Sequence, residues 1–235
     1  MAMHAMGGNL YTKGSLSIRY GEVSYGSVGS TYVYGFGGGI ASRTVDGVSI
    51  KSALITGNHA KVGGGIYATS FNPQIPAVIE NSTIVANEAS RVAAGIFIAA
   101  GNTTITNSTI ANNDGYIGIY ANAPLTMTST IAFGNPMYDV ATAVLAGDHN
   151  LIGTSSADVP ADTLRSDPKF GPFEHNEGKL SLGLLPGSPA IDAGSNEDNL
   201  LYDQRGADNS RTLGLGTDIG SFEVDPDRIF ASEFE

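Results

Sequence analysis

The chain has no cysteine and no tryptophan among its 235 residues, and charged residues make up only 15% of it. The absence of cysteine excludes disulfide bonds, thiolate nucleophiles and cysteine-ligated zinc or iron–sulfur sites. The low charge content argues against a highly charged coiled coil. No apolar run approaches the roughly 18 residues that a helix needs to cross a bilayer, so we expect no membrane span.

Basic residues are also few. The chain carries 12 of them against 23 acidic residues, a net charge of −11, so nucleic acids and anionic membranes are not expected partners. Residues 1–150 contain 7 acidic and 6 basic residues, whereas residues 151–235 contain 16 and 6. This shift predicts two regions, which we place at 1–147 and 148–223, followed by a tail at 224–235.

Glycine is abundant, at 31 residues, and in the first region it belongs to a repeat. An aliphatic residue recurs at positions 10, 40, 66, 96 and 119. Each of the first four is followed by two apolar residues five positions apart and then by asparagine or glycine, as in Ile50, Ile55 and Asn58. Apolar and polar residues alternate in these units, and this alternation predicts that they are β-strands. The repeat predicts an all-β fold, a right-handed parallel β-helix with an irregular C-terminal cap.

One column of the repeat holds Asn58, Asn87, Asn113 and Asn135. We favour a structural ladder, in which each asparagine bonds its own turn and the backbone of the next coil. The alternative is a polar groove for a ligand. Glycine-rich segments such as Gly63–Gly65 match no phosphate-binding loop, and we interpret them as bends that require a positive φ.

The residues that follow the turn asparagines form a second polar column, which includes His59, Glu88 and Asp114. Stacked at a strand spacing of about 5 Å, an imidazole beside two carboxylates can act as a general base. The same three side chains can hold a divalent metal such as Ca²⁺ or Zn²⁺, so they are candidate catalytic and metal-ligating residues. The alternative is a solvated turn column that happens to be polar.

A third column is aromatic and holds Tyr11, Tyr67, Phe97 and Tyr120, each one residue after an aliphatic anchor. If the anchors face the core, alternation points these rings outward. Such a stripe can bind sugar rings, which makes these four residues candidates for substrate binding. Alternatively, the rings pack under long loops or against an adjacent chain.

The second region resembles a known family through five ordered segments. These are Asn150–Gly153, Asp167–Pro172, Leu185–Gly194, Asp203–Gly206 and Thr217–Glu223. In this order they are similar to the C-terminal part of the bacterial choice-of-anchor Q proteins, which are exported right-handed β-helix proteins of the pectate-lyase-like superfamily. The resemblance implies an extracellular or cell-surface location. That superfamily includes both enzymes and adhesins, so the fold does not choose the function.

The ends of a solenoid expose an apolar core and unpaired strand edges. We therefore expect each end either to be capped or to associate with another surface. The spacing of Asp192, Asp203, Arg205 and Asp218 predicts a buried or capping ion-pair network that closes the C-terminal end. The alternatives are a catalytic role and calcium binding by the acidic loops. The first seven residues lack the basic and apolar segments of a signal peptide and begin within a repeat, so we expect a fragment of a longer exported protein. An uncapped first coil around Gly7–Leu16 predicts self-association or a frayed end.

Two functional hypotheses follow. The first is an exported β-helix protein that binds or processes carbohydrate through its aromatic stripe. The second is an enzyme centred on His59, Glu88 and Asp114, either a metal-assisted hydrolase of a small ester or phosphoester or a polysaccharide lyase. No Gly-x-Ser-x-Gly or His-Glu-x-x-His pattern occurs, which is evidence against two common classes of hydrolase.

Overall fold

The computed structural model of the chain is a parallel β-solenoid. It describes residues 4–28, 34–43, 47–70, 72, 74–176 and 179–225. Most of the predicted tail at 224–235 lies outside these ranges. Within them the chain forms no α-helix, and therefore none that is long and apolar enough to cross a membrane.

Three parallel sheets of six strands build the solenoid, and each coil adds one strand to each sheet. Sheet I contains β2 (Leu10–Thr12), β6 (Ile40–Arg43), β10 (Ile66–Thr69), β14 (Ile96–Ala99), β17 (Ile117–Ala121) and β20 (Tyr138–Ala141). Sheet II contains β3 (Leu16–Arg19), β7 (Val48–Lys51), β11 (Ala77–Glu80), β15 (Thr103–Thr106), β18 (Leu125–Thr128) and β21 (Leu145–Asp148). Sheet III contains β4 (Glu22–Ser24), β8 (Leu54–Thr56), β12 (Thr83–Val85), β16 (Thr109–Ala111), β19 (Ile131–Phe133) and β22 (Leu151–Ile152).

The remaining strands form three two-stranded sheets. Two are parallel and belong to the turns, namely β1 (His4–Met6) with β5 (Tyr34–Phe36), and β9 (His59–Ala60) with β13 (Glu88–Ala89). The third is the antiparallel pair β23 (Phe170–Asn176) and β24 (Lys179–Leu184) of the C-terminal region.

The core consists of aliphatic side chains that stack in register from coil to coil. In sheet I, Ile40 pairs with Ile66 and Ile96 pairs with Ile119, and none of the four is exposed. Each inward side chain therefore packs on an aliphatic neighbour one strand spacing away, about 4.8 Å. These residues are the aliphatic anchors of the repeat, so the predicted all-β parallel solenoid is confirmed.

The asparagine column forms a buried ladder of amide hydrogen bonds. Asn58 Nδ2 donates to Asn87 Oδ1 at 2.9 Å, and Asn87 Nδ2 donates to Asn113 Oδ1 at 2.9 Å. Asn113 Nδ2 continues to Asn135 Oδ1 at 3.1 Å, and Asn135 Nδ2 donates to Asp139 Oδ1 at 2.8 Å. The side-chain amides are aligned so that their N–H groups point towards the buried carboxylate of Asp139. Their dipoles stabilise the negative charge of that carboxylate. The ladder interpretation is confirmed, because side chains this deeply buried do not line a groove.

Each coil turns from sheet II to sheet III through a single residue of positive φ. These corner residues are not glycine, and their φ angles lie between 43° and 52°: Tyr20, Ser52, Asn81, Asn107, Ser129 and His149. A left-handed conformation costs a residue with a Cβ about 1 kcal/mol or more. Packing of the coils must offset this cost at every turn.

The C-terminal end of the solenoid is covered by residues 153–165. Ser155 forms a β-bridge with Val140, and Leu164 forms one with Leu151. Val159 from the same segment packs against the main core. These contacts shield the apolar interior of the last coil.

Residues 167–176 and 179–225 lie along the flank of the solenoid, over the outward face of sheet III. The backbone N–H of Ser221 donates to Thr109 Oγ1 at 3.0 Å, and Asn107 Nδ2 donates to the Ser195 carbonyl at 2.8 Å. Leu182 packs into a small apolar cluster on the same face. The C-terminal region therefore braces several coils from the side.

The flank contains part of the predicted ion-pair network: Arg205 pairs with Asp203, whereas Asp192 and Asp218 accept backbone N–H groups. A second pair, which the sequence does not predict, joins Arg211 and Glu223. Arg205 Nη2 lies 2.7 Å from Asp203 Oδ2, and Arg211 Nη2 lies 3.6 Å from Glu223 Oε2, with both members of the second pair fully buried. The sequence predicts this network over the open end, and that position is wrong. Residues 153–165 already cover the end, and the contacts to sheet III hold the network on the flank instead.

We expect the stability of the protein to fall as the pH rises from about 4.5 to about 8. Burial raises the pKa of Glu223 from 4.5 to about 8, against the lowering effect of Arg211, and burial also raises the pKa of Asp218. In this pH window the folded chain keeps a proton that the unfolded chain has lost, so raising the pH favours unfolding. Thermal denaturation at pH 5, 6.5 and 8 measures this trend.

The variant Glu223→Gln no longer titrates at this position, so its melting temperature should depend less on pH over the same window. Glu174→Gln, which changes an exposed carboxylate on β23, is the matched control and should follow the wild type. A wild-type melting temperature that is constant or rises between pH 5 and pH 8 would contradict the expectation.

Candidate functional site

The outward face of sheet I carries three stacked aromatic rings. Tyr67, Phe97 and Tyr120 occupy paired positions on neighbouring strands. Their ring centroids are 5.1 Å and 5.0 Å apart, with interplanar angles of 15° and 16°. We call these three residues the aromatic ladder. The register confirms that they form one outward column, as the repeat predicts.

The fourth predicted member of the column, Tyr11, stands apart from the ladder. It pairs with Ala41, and Ala41 pairs in turn with Tyr67, so a methyl side chain separates the two tyrosines. Phe36 contacts Tyr67 instead, with ring centroids 4.6 Å apart and planes inclined at 42°. Sequence reasoning missed Phe36 because β5 lies in an insertion between the repeated units.

Stacking within the ladder determines which parts of the rings a ligand can contact. Nearly parallel rings at 5 Å cover much of each other's faces. The inclined ring of Phe36 adds a wall at one end of the ladder. The arrangement therefore favours one binding surface along the ladder edge over four independent stacking platforms.

A cleft of about 550 Å³ lies beside the ladder, and its wall includes Phe36 and Tyr67. Its volume falls in the range of small-molecule sites, about 300–1,000 Å³. The polar part of the wall includes Arg43, Thr69 and Asn122. Arg43 and Thr69 pair in register, two residues beyond the ladder column, so alternation brings them to the same outward face. That two-residue offset is the signal from which the sequence could have identified them.

The hydroxyl of Tyr67 is held in its neutral form. Burial raises the pKa of Tyr67, and a hydrogen bond with Thr69 and the charge of Arg43 only partly reverse this effect. A neutral phenol both donates and accepts a hydrogen bond. Together with the Arg43 guanidinium and the Asn122 amide, it gives the cleft both donors and acceptors beside aromatic surface.

The column of His59, Glu88 and Asp114 lies on the turns that follow the asparagine ladder. Glu88 pairs in register with His59 and forms a β-bridge with Asp114, so the three residues stack as predicted. His59 Nε2 is 3.7 Å from Glu88 Oε1, with 35% and 59% of the two side chains exposed. The catalytic role of this column stays a prediction.

The metal-ligating role of the same column also stays a prediction. In the part of the chain that the structure describes, no three histidine, aspartate or glutamate side chains are placed to hold a metal ion. Carboxylate and imidazole ligands must converge on one point at about 2.0–2.6 Å from the ion.

Comparison with known proteins gives no relative of this chain: no protein family, no curated protein and no solved structure matches it.

Proposed function

We propose that this protein is a carbohydrate-binding β-solenoid whose ligand occupies the cleft beside the aromatic ladder. The observation that carries the proposal is the combination of Phe36 and Tyr67 with Arg43, Thr69 and Asn122 around one cleft. Sugars present apolar C–H surfaces and many hydroxyl groups, so they require aromatic contacts and mixed donors and acceptors in the same site.

The cleft offers each of these contacts from a different side. The inclined ring of Phe36 supports the C–H face of a sugar, and the Tyr67 and Thr69 hydroxyls and the Asn122 amide bond its hydroxyl groups. Arg43 has only donors and therefore bonds ring and hydroxyl oxygens, or the carboxylate of an acidic sugar. The solenoid region is nearly neutral, at 7 acidic and 6 basic residues in 1–150, so it does not repel an acidic chain strongly.

The proposed setting is the outside of a bacterial cell. The five ordered segments between Asn150 and Glu223 support membership of the choice-of-anchor Q proteins, which are exported. A surface-exposed solenoid with a lateral cleft suits attachment to long polymers, because the ligand can enter from the side and extend beyond the site.

Replacing Tyr67 with alanine should weaken glycan binding by about tenfold or more, because it removes both an aromatic wall and a hydroxyl from the cleft. Binding is first detected on an array of neutral and uronate-containing glycans and then measured by titration calorimetry. Asn122→Ala, at the exposed rim, removes a polar contact without disturbing the ladder and should weaken binding less.

The matched control is Tyr25→Ala, which removes an equally large ring that is 81% exposed and does not line the cleft. It should bind like the wild type. The proposal is wrong if no glycan binds, or if Tyr67→Ala and Asn122→Ala bind as tightly as Tyr25→Ala.

A further inference from the structure

Two columns of side chains run side by side along the outward face of sheet I. The aromatic ladder belongs to the first column, and the second column lies two residues further along the same strands. The second column consists of Arg43, Thr69, Ala99 and Asn122, and all four line the cleft. Arg43 pairs with Thr69 and Thr69 with Ala99, and the Asn122 N–H donates to the Ile98 carbonyl. The cleft therefore extends along the solenoid axis over three strand spacings, or about 14 Å.

The aromatic ladder is bounded by alanine at both of its ends. Ala41 occupies the position before Tyr67 in the first column, and Ala141 occupies the position after Tyr120. The two alanines are 0% and 7% exposed, so neither adds to the surface that a ligand can reach. The column therefore offers aromatic surface on three consecutive coils and no more.

The spacing of the rings selects the kind of chain that can follow them. The ring centroids are 5.1 Å and 5.0 Å apart, close to the spacing of the strands that carry them. A 1,4-linked chain of pyranose rings advances by a similar distance per residue, so it can place one sugar beside each aromatic ring in turn. An extended peptide advances about 3.3 Å per residue, and about 6.6 Å between side chains on one face, so it does not keep step with the rings.

Each ring of the ladder has a different neighbour in the second column. The two outer rings lie beside hydrogen-bonding side chains, Thr69 and Asn122, whereas the middle ring lies beside the methyl group of Ala99. Hydroxyl and amide groups both donate to and accept from sugar hydroxyls. Ala99 leaves space between these two polar positions, so a sugar in the middle can lie against its methyl group next to Phe97.

We propose that the cleft binds a segment of three 1,4-linked sugar residues, which runs along the solenoid axis with one residue beside each ring of the aromatic ladder. This inference rests on the proposed carbohydrate-binding function and specifies the length and direction of the ligand. A longer chain continues past the alanines at either end without meeting another ring of the ladder. Affinity should therefore rise with chain length up to three residues and then stay constant.

Titration calorimetry of the full chain with oligosaccharides of one to six residues tests this length. The probes are four series that differ in their sugar: β-1,4-linked glucose, β-1,4-linked xylose, β-1,4-linked N-acetylglucosamine and α-1,4-linked galacturonate. In a series that binds, each residue up to the third should lower the dissociation constant by about tenfold. The fourth to sixth residues should together change it by no more than about threefold.

Two variants change the number of positions that a ligand can occupy. Tyr120→Ala removes the last ring, so the plateau should move from three residues to two, and binding of the disaccharide should stay as in the wild type. Ala99→Leu fills the middle position and should weaken binding of the trisaccharide by about tenfold or more. Retained disaccharide binding by Tyr120→Ala separates a lost position from a misfolded chain, and circular dichroism verifies the fold of both variants.

Ala146→Leu is the control, since it makes the same substitution at an exposed alanine of sheet II. It should bind every oligosaccharide like the wild type. A plateau at a length other than three residues, or one that Tyr120→Ala leaves at three, overturns the inference while carbohydrate binding itself stands. Absence of binding in all four series also overturns it, and the glycan array then decides separately whether the protein binds carbohydrate.

Discussion

Replacing Arg211 with alanine should lower the free energy of unfolding by about 3–5 kcal/mol. Its guanidinium has no exposed surface, donates to the Asp218 carbonyl at 2.6 Å and lies 3.6 Å from Glu223. Glu223 has no exposed surface either. Removing the cation takes away the charge that offsets part of the burial cost of Asp218 and Glu223, and it leaves the buried Asp218 carbonyl without its donor. Breaking a buried pair from one side in this way costs far more than the intact pair contributes.

Thermal denaturation should show a fall of about 10 °C in the melting temperature of Arg211→Ala. Arg165→Ala, at an exposed arginine, should change stability by no more than about 0.5 kcal/mol. The double variant Arg211→Met with Glu223→Gln removes both charges and should be more stable than Arg211→Ala alone. A melting temperature of Arg211→Ala equal to that of the wild type would show that the pair contributes nothing.

The solenoid could be predicted from sequence because its physical requirements repeat. Every coil must place an aliphatic residue above the one below, so Ile40, Ile66 and Ile96 recur with a recognisable spacing. The buried asparagine ladder repeats for the same reason, since each amide needs the next as its partner. A residue that must contact the equivalent residue of the next coil recurs once in every coil, and this recurrence is visible in the sequence.

The corners between sheets II and III show the limit of this argument. Glycine is the expected residue for a positive φ, and the structure places Tyr20 and His149 there instead. The strands on both sides of each corner determine the positive φ there. The residue at the corner only has to adopt that φ at an acceptable energetic cost. Asparagine, which tolerates a positive φ, marks the corners at Asn81 and Asn107, but Tyr20 and Ser52 carry no such preference, so the sequence indicates only some of the corners.

The flank and the cleft depend on contacts that occur once. Ser221 bonds Thr109 from 112 positions along the chain, and Phe36 reaches Tyr67 from an insertion. Neither contact repeats, so neither leaves a period. The sequence identified Asp203 and Arg205 of the network, but it identified neither the buried pair Arg211 and Glu223 nor the position of the network on the solenoid.

The largest effect within the solenoid itself should come from Asn87, in the middle of the asparagine ladder. Its Oδ1 accepts the Asn58 N–H at 3.1 Å and Asn58 Nδ2 at 2.9 Å, while its Nδ2 donates to the Ile55 carbonyl at 2.9 Å. Alanine removes all of these bonds and leaves the partners buried, out of reach of water. Each unsatisfied buried group costs about 1–3 kcal/mol, so Asn87→Ala should lose about 4 kcal/mol.

Chemical denaturation of Asn87→Ala and Asn102→Ala compares a buried rung with an exposed asparagine of the same solenoid. Asn102→Ala should stay within about 0.5 kcal/mol of the wild type, because its side chain is solvated in both states. If the two variants unfold at the same denaturant concentration, the ladder does not hold the coils together. If only Asn87→Ala unfolds early, the amide bonds between coils contribute to stability in addition to the aliphatic core, because the substitution leaves every stacked isoleucine in place.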